Sequence, residues 1–129
     1  MCDQSFRICK HCGNLAGMIH ASGVPMICCG EEMEEIRPNT VDASKEKHVP
    51  VVSIDQNQIS VAIGSEPHPM LEAHYIQWIY LKGSQGGQRR CLGAGDAAKV
   101  TFVMTDGDKP AAVCAYCNLH GLWMTEVEG

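Results

Sequence analysis

Ile59-Ser60-Val61-Ala62-Ile63 sets large aliphatic side chains two residues apart with small ones between them. A period of two belongs to a strand with one face turned inward. Working outward, Val100, Phe102 and Met104 repeat the pattern before the turn Asp106-Gly107-Asp108, and Ile76, Trp78 and Tyr80 are expected on one side of a strand running from His74 to Leu81. The glycines at 83, 86, 87, 93 and 95 mark a loop, with a weak strand around Arg89 to Leu92. No convincing amphipathic helix interrupts these runs. From Val49 onward the chain is therefore expected to be mainly β, an antiparallel sandwich of about seven strands.

The whole sequence has 129 residues, room for one ordinary domain plus a very small companion. With 10 Lys and Arg against 15 Asp and Glu there is no basic stripe, which argues against nucleic acid as a partner. Attraction for an anionic substrate must be local. The start Met1-Cys2-Asp3-Gln4-Ser5-Phe6-Arg7 lacks the pattern of a secretory signal, and no apolar stretch is long enough for a membrane helix. The expected location is cytoplasmic, where the eight cysteines would be reduced and available to metals. There is no internal repeat and no low-complexity tract.

Four of those cysteines fall between Met1 and Arg37, in a piece with few large apolar residues. Such a piece needs a metal or disulfides to fold. Cys9-Lys10-His11-Cys12 is a knuckle that brings two thiolates to one point, with Gly13 suited to the positive φ of the turn. After fifteen residues comes Cys28-Cys29-Gly30. Adjacent side chains on an extended backbone diverge, so Cys28 and Cys29 can share an ion only if the chain bends sharply, and Gly30 is placed to absorb the bend. Four thiolates suit iron or zinc. His11 is expected to face solvent and His20 to be a surface residue. Arg37-Pro38-Asn39-Thr40 reads as a linker, giving domains at 1–37 and 38–129.

The remaining histidines are His48, His68, His74 and His120. His68 is held between Pro67 and Pro69, His74 stands where a loop enters a strand, and Cys117 and His120 are spaced so that one loop can offer sulfur and nitrogen to the same ion. This inventory suits Zn, Cu, Fe or Ni.

Glu46-Lys47-His48-Val49-Pro50, His68-Pro69-Met70, His74-Tyr75-Ile76-Gln77-Trp78 and Cys117-Asn118-Leu119-His120-Gly121 resemble the signature segments of the desulfoferrodoxins and related superoxide reductases. The cysteine cluster is similar to the desulforedoxin-like domain of the two-iron members, so the resemblance covers nearly the whole chain. It implies a metal-stapled desulforedoxin-like N-terminal domain followed by an immunoglobulin-like sandwich. It further implies one iron held by Cys9, Cys12, Cys28 and Cys29, and a second with His48, His68, His74 and His120 in a plane and Cys117 on its axis. The implied activity is one-electron reduction of superoxide to hydrogen peroxide, with electrons from a rubredoxin-like donor and a homodimer as the assembly.

Within that resemblance Lys47 is expected to attract the superoxide anion, and Glu46 to supply a carboxylate to the oxidised second iron. The first iron, closed by thiolates, is expected to store or relay an electron. Cys114 departs from the family pattern. It is read as an inert buried thiol, with a disulfide to Cys117 as the alternative, while Cys2 and Cys91 receive no role. Two other readings use the same residues: a superoxide dismutase, and a zinc-stabilised module or simple electron carrier without catalysis.

Overall fold

The computed structural model of the chain describes residues 4–41, 43 and 45–127. It divides into two compact units, one ending at Arg37 and the other beginning at Pro38. In the first unit, β1 (Ser5–Ile8) lies between β2 (Leu15–Met18) and β5 (Glu34–Ile36), and β3 (Ile27–Cys28) pairs with β4 (Glu31–Glu32). Its buried hydrophobic residues are Phe6, Cys9 and Met33. Burying Phe6 and Met33 contributes roughly 1.5–3 kcal/mol each. Ordering the backbone costs about 1–2 kcal/mol per residue, so this unit needs a cross-link beyond its own apolar core.

The second unit starts with one helical turn, α1 (Lys45–His48), and continues with β6 (Pro50–Asp55), β7 (Gln58–Ile63), β8 (Ile76–Gly83), β9 (Gly87–Cys91), β10 (Lys99–Val103), β11 (Pro110–Cys117) and β12 (Gly121–Glu126). These strands form two antiparallel sheets, ordered β10-β7-β6 and β12-β11-β8-β9. One core joins them: Ile59, Val61 and Ile63 of β7 and Val100 and Phe102 of β10 pack with Ile76, Ile79 and Leu81 of β8 and Val113, Ala115 and Cys117 of β11. The alternation in β7 and β10 is the one expected from the sequence.

Strand β8 differs from expectation. Tyr116 pairs with Trp78 but Cys117 pairs with Ile76, so Gln77 is an extra residue on β8. A bulge of this kind reverses the inside-outside alternation. Ile76 is therefore in the core with Ile79 and Leu81, whereas Trp78 lies on the other face, stacked on Tyr116 with ring centroids 5.6 Å apart. His74 precedes the strand rather than beginning it, and bridges to Leu71.

The register brings the chemistry-bearing segments to one end of the sandwich. Pro50 at the start of β6 faces Ile63 at the end of β7, and Cys117 at the end of β11 faces both Ile76 and Gly121. Gly64, just after β7, has φ +82°, and a Cβ there would collide with the backbone of Glu46, Lys47 and Glu66. The backbone bonds Gly64 N–H to Val49 O (3.0 Å) and Glu66 N–H to Glu46 O (3.0 Å) complete the seat on which α1 rests. Replacing Gly64 by Ala combines a disfavoured φ with a backbone clash, so Gly64→Ala is expected to destabilise the second unit by about 2 kcal/mol or more. Urea unfolding of the metal-free chain measures this, and an unchanged midpoint would contradict the account.

Candidate metal centres

The first unit gathers Cys9, Cys12, Cys28 and Cys29 so that their sulfurs all lie within 4.8 Å of one another. Gly13 turns the knuckle with φ +82°, and its N–H donates to Cys9 O at 2.8 Å. The bend between the adjacent cysteines falls on Cys29 itself, φ +53°, as well as on Gly30, φ +76°. Cys12 Sγ and Cys28 Sγ are 3.6 Å apart. Sulfurs at about 2.3 Å from one tetrahedral ion would be separated by roughly 3.8 Å, so the spacing fits a shared metal. The electrostatics agree. Backbone N–H groups, Cys12's foremost, hold the Cys9 thiol down at about 6, while hydrogen bonding with Cys9 and its neighbours pushes Cys29 up to about 12. These thiols thus titrate as one linked group, and a cation would stabilise their thiolates together. His11 is exposed and pairs with Glu31 at 2.9 Å, and His20 is exposed.

In the second unit the imidazoles form a closed ring. Centroids are 4.7 Å apart for His48 and His68, 4.8 Å for His68 and His74, 5.1 Å for His74 and His120, and 4.8 Å for His120 and His48. Each successive pair is nearly perpendicular, with interplanar angles of 72° to 86°. His48 and His74 face each other across the ring at 6.3 Å. His48, His74, Cys117 and His120 each offer an atom within 4.8 Å of the others, and His68 completes the circle through His48 and His74.

Each side chain has an identifiable support. His68 Nδ1 lies 2.7 Å from Pro69 O, a carbonyl that can only accept, so Nδ1 carries the proton and Nε2 the lone pair. That Nε2 and His74 Nε2 are buried without a hydrogen-bond partner. His48 Nε2 approaches His120 Nδ1 to 3.1 Å, the separation of neighbouring nitrogens about 2.1 Å from one ion. Trp123, fully buried, stacks on His48 at 4.9 Å and donates its indole N–H to His120 O at 3.1 Å. Cys117, also fully buried, places Sγ 4.0 Å from His120 Nδ1. Lone pairs converging in a water-poor place, with two nitrogens unsatisfied, are the donor set of a transition-metal ion, and imidazole with one thiolate fits iron.

Glu46 and Lys47 are exposed on α1 beside His48, and the Lys47 charge reaches His74 strongly enough to lower its pKa, after burial and His120. Trp123 and Gly64 were not legible as site residues: a tryptophan in a strand and a glycine after one carry no ligand signal. Cys114 is buried on β11 with its thiol pushed up by burial to about 11. Three residues along a strand span about 10 Å, beyond the reach of a disulfide, so Cys114 and Cys117 cannot bridge in this fold. Cys91 is exposed, and Cys2 lies outside the described residues.

Residues 40–126 match the family model described as Desulfoferrodoxin. The chain belongs to the desulfoferrodoxin family. It is 44% identical over 118 residues to a desulfoferrodoxin of Syntrophotalea carbinolica, covering 92% of each chain. It is 33% identical to a superoxide reductase of Pyrococcus horikoshii, over 67% of this chain and 90% of that one. Among solved structures, the superoxide reductase of Treponema pallidum is similar with a TM-score of 0.80 and 36% identity, covering 96% of this chain and 99% of that one. These relatives support an oxidoreductase built on a mainly β desulfoferrodoxin fold. Among the described residues no helix is long and apolar enough to cross a membrane.

Burial holds His68 down at about 4, with the Pro69 bond opposing and the neighbouring imidazoles adding to the effect. Between the ordinary value of 6.5 and about 4 the unfolded chain binds a proton that the folded chain refuses, so stability rises with pH and is lost as pH falls through this window. The urea midpoint of the metal-free chain is expected to drop from about pH 7 to about pH 5, with a shallower drop in His68→Gln. Equal midpoints at both pH values would contradict the burial of these imidazoles.

Proposed function

We propose that this chain is a superoxide reductase: one electron from an external donor and two protons convert superoxide to hydrogen peroxide. The observation that carries the reading is the closed ring of four imidazoles with one buried cysteine. Iron held there would supply a one-electron couple between its ferrous and ferric states.

The protein's own part follows from the geometry. His48, His68, His74 and His120, with Cys117 from the core side, would hold the ion. Five protein donors would leave an iron ion able to take one further ligand, the feature that distinguishes a reactive centre from a closed one. As a ligand, Cys117 would donate electron density to the ion and so favour its giving up an electron. Lys47, an exposed cation close enough to influence His74, draws the anionic substrate toward the ring although the chain carries a net charge of −5. Glu46, exposed on the same turn as His48, would offer a hard carboxylate to an oxidised ion. Four thiolates would close the first centre to substrate, so an iron held there would store or relay an electron and would not be required for the superoxide step. A rubredoxin-like carrier is the proposed donor, and the need for free thiolates at both centres supports a reducing, cytoplasmic setting. Ile19, Val24 and Ile27 are exposed on a unit whose buried hydrophobics, among the described residues, are Phe6, Cys9 and Met33, which supports a homodimer in which a second copy covers them.

The direct test mixes the reduced, iron-loaded protein with a pulse of superoxide and measures both products. Hydrogen peroxide without dioxygen is expected; about one dioxygen for every two superoxides would make the chain a dismutase, and no reaction would leave it an electron carrier. Lys47→Ala is expected to slow the bimolecular step several-fold at low salt and to flatten its ionic-strength dependence. An unchanged low-salt rate would remove Lys47 from the substrate path.

A further inference from the structure

Asn118 stands between Cys117 and His120 at the point where β11 ends and the chain turns toward β12. Up to Cys117, β11 is held to β8 by main-chain pairing, the last pair being Cys117 with Ile76. One further main-chain bond follows, Asn118 N–H to Tyr75 O at 3.2 Å, after which the backbone leaves to build the turn that carries His120. The Asn118 side chain takes over where the backbone departs. Its Oδ1 accepts from Tyr75 N–H at 2.9 Å, and its Nδ2 donates to Ala73 O at 3.0 Å. An amide side chain has the donor and acceptor of a peptide group, so it can extend a ladder by one step without the chain itself continuing.

The residue enclosed between the two gripped positions, Ala73 and Tyr75, is His74. His74 Nε2 is buried with no hydrogen-bond partner, so the polar contacts of its ring nitrogen do not fix its place in the circle, and its backbone must. We propose that Asn118 is a positioning residue of the histidine-cysteine centre: its side-chain amide continues the β8–β11 ladder past the end of the main-chain pairing and sets where His74 stands relative to Cys117 and His120. An apolar residue would leave Tyr75 N–H and Ala73 O to water and free the segment before β8 to shift. Asp would keep the acceptor for Tyr75 N–H, lose the donor to Ala73 O, and set a carboxylate against that carbonyl.

This inference rests on the reading that the imidazole ring and Cys117 hold one metal ion. The experiment uses the full chain loaded with iron, in the wild type, Asn118→Ala and Asn118→Asp. It follows iron release to excess ferrous chelator, the sulfur-to-iron absorption band of the second centre, and the absorption of the four-cysteine centre as an internal reference. Loss of a residue supporting a metal ligand typically weakens binding about 10- to 100-fold, and release from the second centre is expected to accelerate by that order in Asn118→Ala, with a shifted band and the four-cysteine absorption unchanged. Asn118→Asp should change in the same direction and decides the matter if the Ala variant does not fold. Release rates and band positions equal to wild type would overturn the role, as would equal acceleration at both centres, which would mark a general loosening. A wild type that holds metal only at the four cysteines would overturn the underlying site as well, whereas two bound ions with no response to either substitution removes Asn118 alone.

Discussion

Imidazole nitrogens converging on one point are what the second unit is organised around. A polar atom buried without a partner costs about 1–3 kcal/mol, and here His68 Nε2 and His74 Nε2 share that condition within a ring of four histidines. Pro69 fixes the His68 proton on Nδ1 and leaves Nε2 as an acceptor that no described residue satisfies. One cation at the centre answers all of them together. Metal binding and folding of this unit are therefore coupled, because the ion relieves a cost that assembling the ring incurs.

The sandwich makes that arrangement possible by bringing strand ends of both sheets to one place. The β10-β7-β6 sheet contributes the turn at Gly64 and the segment before β6, which carry His68 and His48. The β12-β11-β8-β9 sheet contributes Cys117, His120 and the approach to β8 with His74. The bulge at Gln77 belongs to the same design, because it turns Ile76 inward beside Cys117 at the rim of the core. Trp123 joins core to centre, fully buried against the hydrophobic side while its ring plane supports His48 and its N–H supports His120.

Much of this was readable before any coordinate. Strands β7 and β10 show their inner faces as plain alternation, and the donor residues announce themselves by type and by local setting: the knuckle at Cys9 and Cys12, the prolines around His68, the spacing of Cys117 and His120. The parity of β8 was not readable, since a bulge is set by how its partner strand pairs and leaves no mark in its own period. Helix α1, one turn long, is too short for helical periodicity to register. Nor could the order of imidazoles around the ring, the seat that Gly64 provides, or the support from Trp123 be seen, because each depends on residues far apart in the chain meeting in space. The fate of Cys114 also needed geometry: CxxC is a redox motif on a turn but two opposed side chains on a strand.

The account stands most directly on the identity of the atoms around the second metal. X-ray absorption at the iron edge, recorded on an iron-loaded Cys12→Ser chain so that the four-cysteine centre does not contribute, reads those atoms out. Four nitrogen neighbours and one sulfur are expected, in line with the ring and Cys117. A shell without sulfur, a shell of oxygen in place of imidazole nitrogen, or no ordered iron in that variant would contradict it.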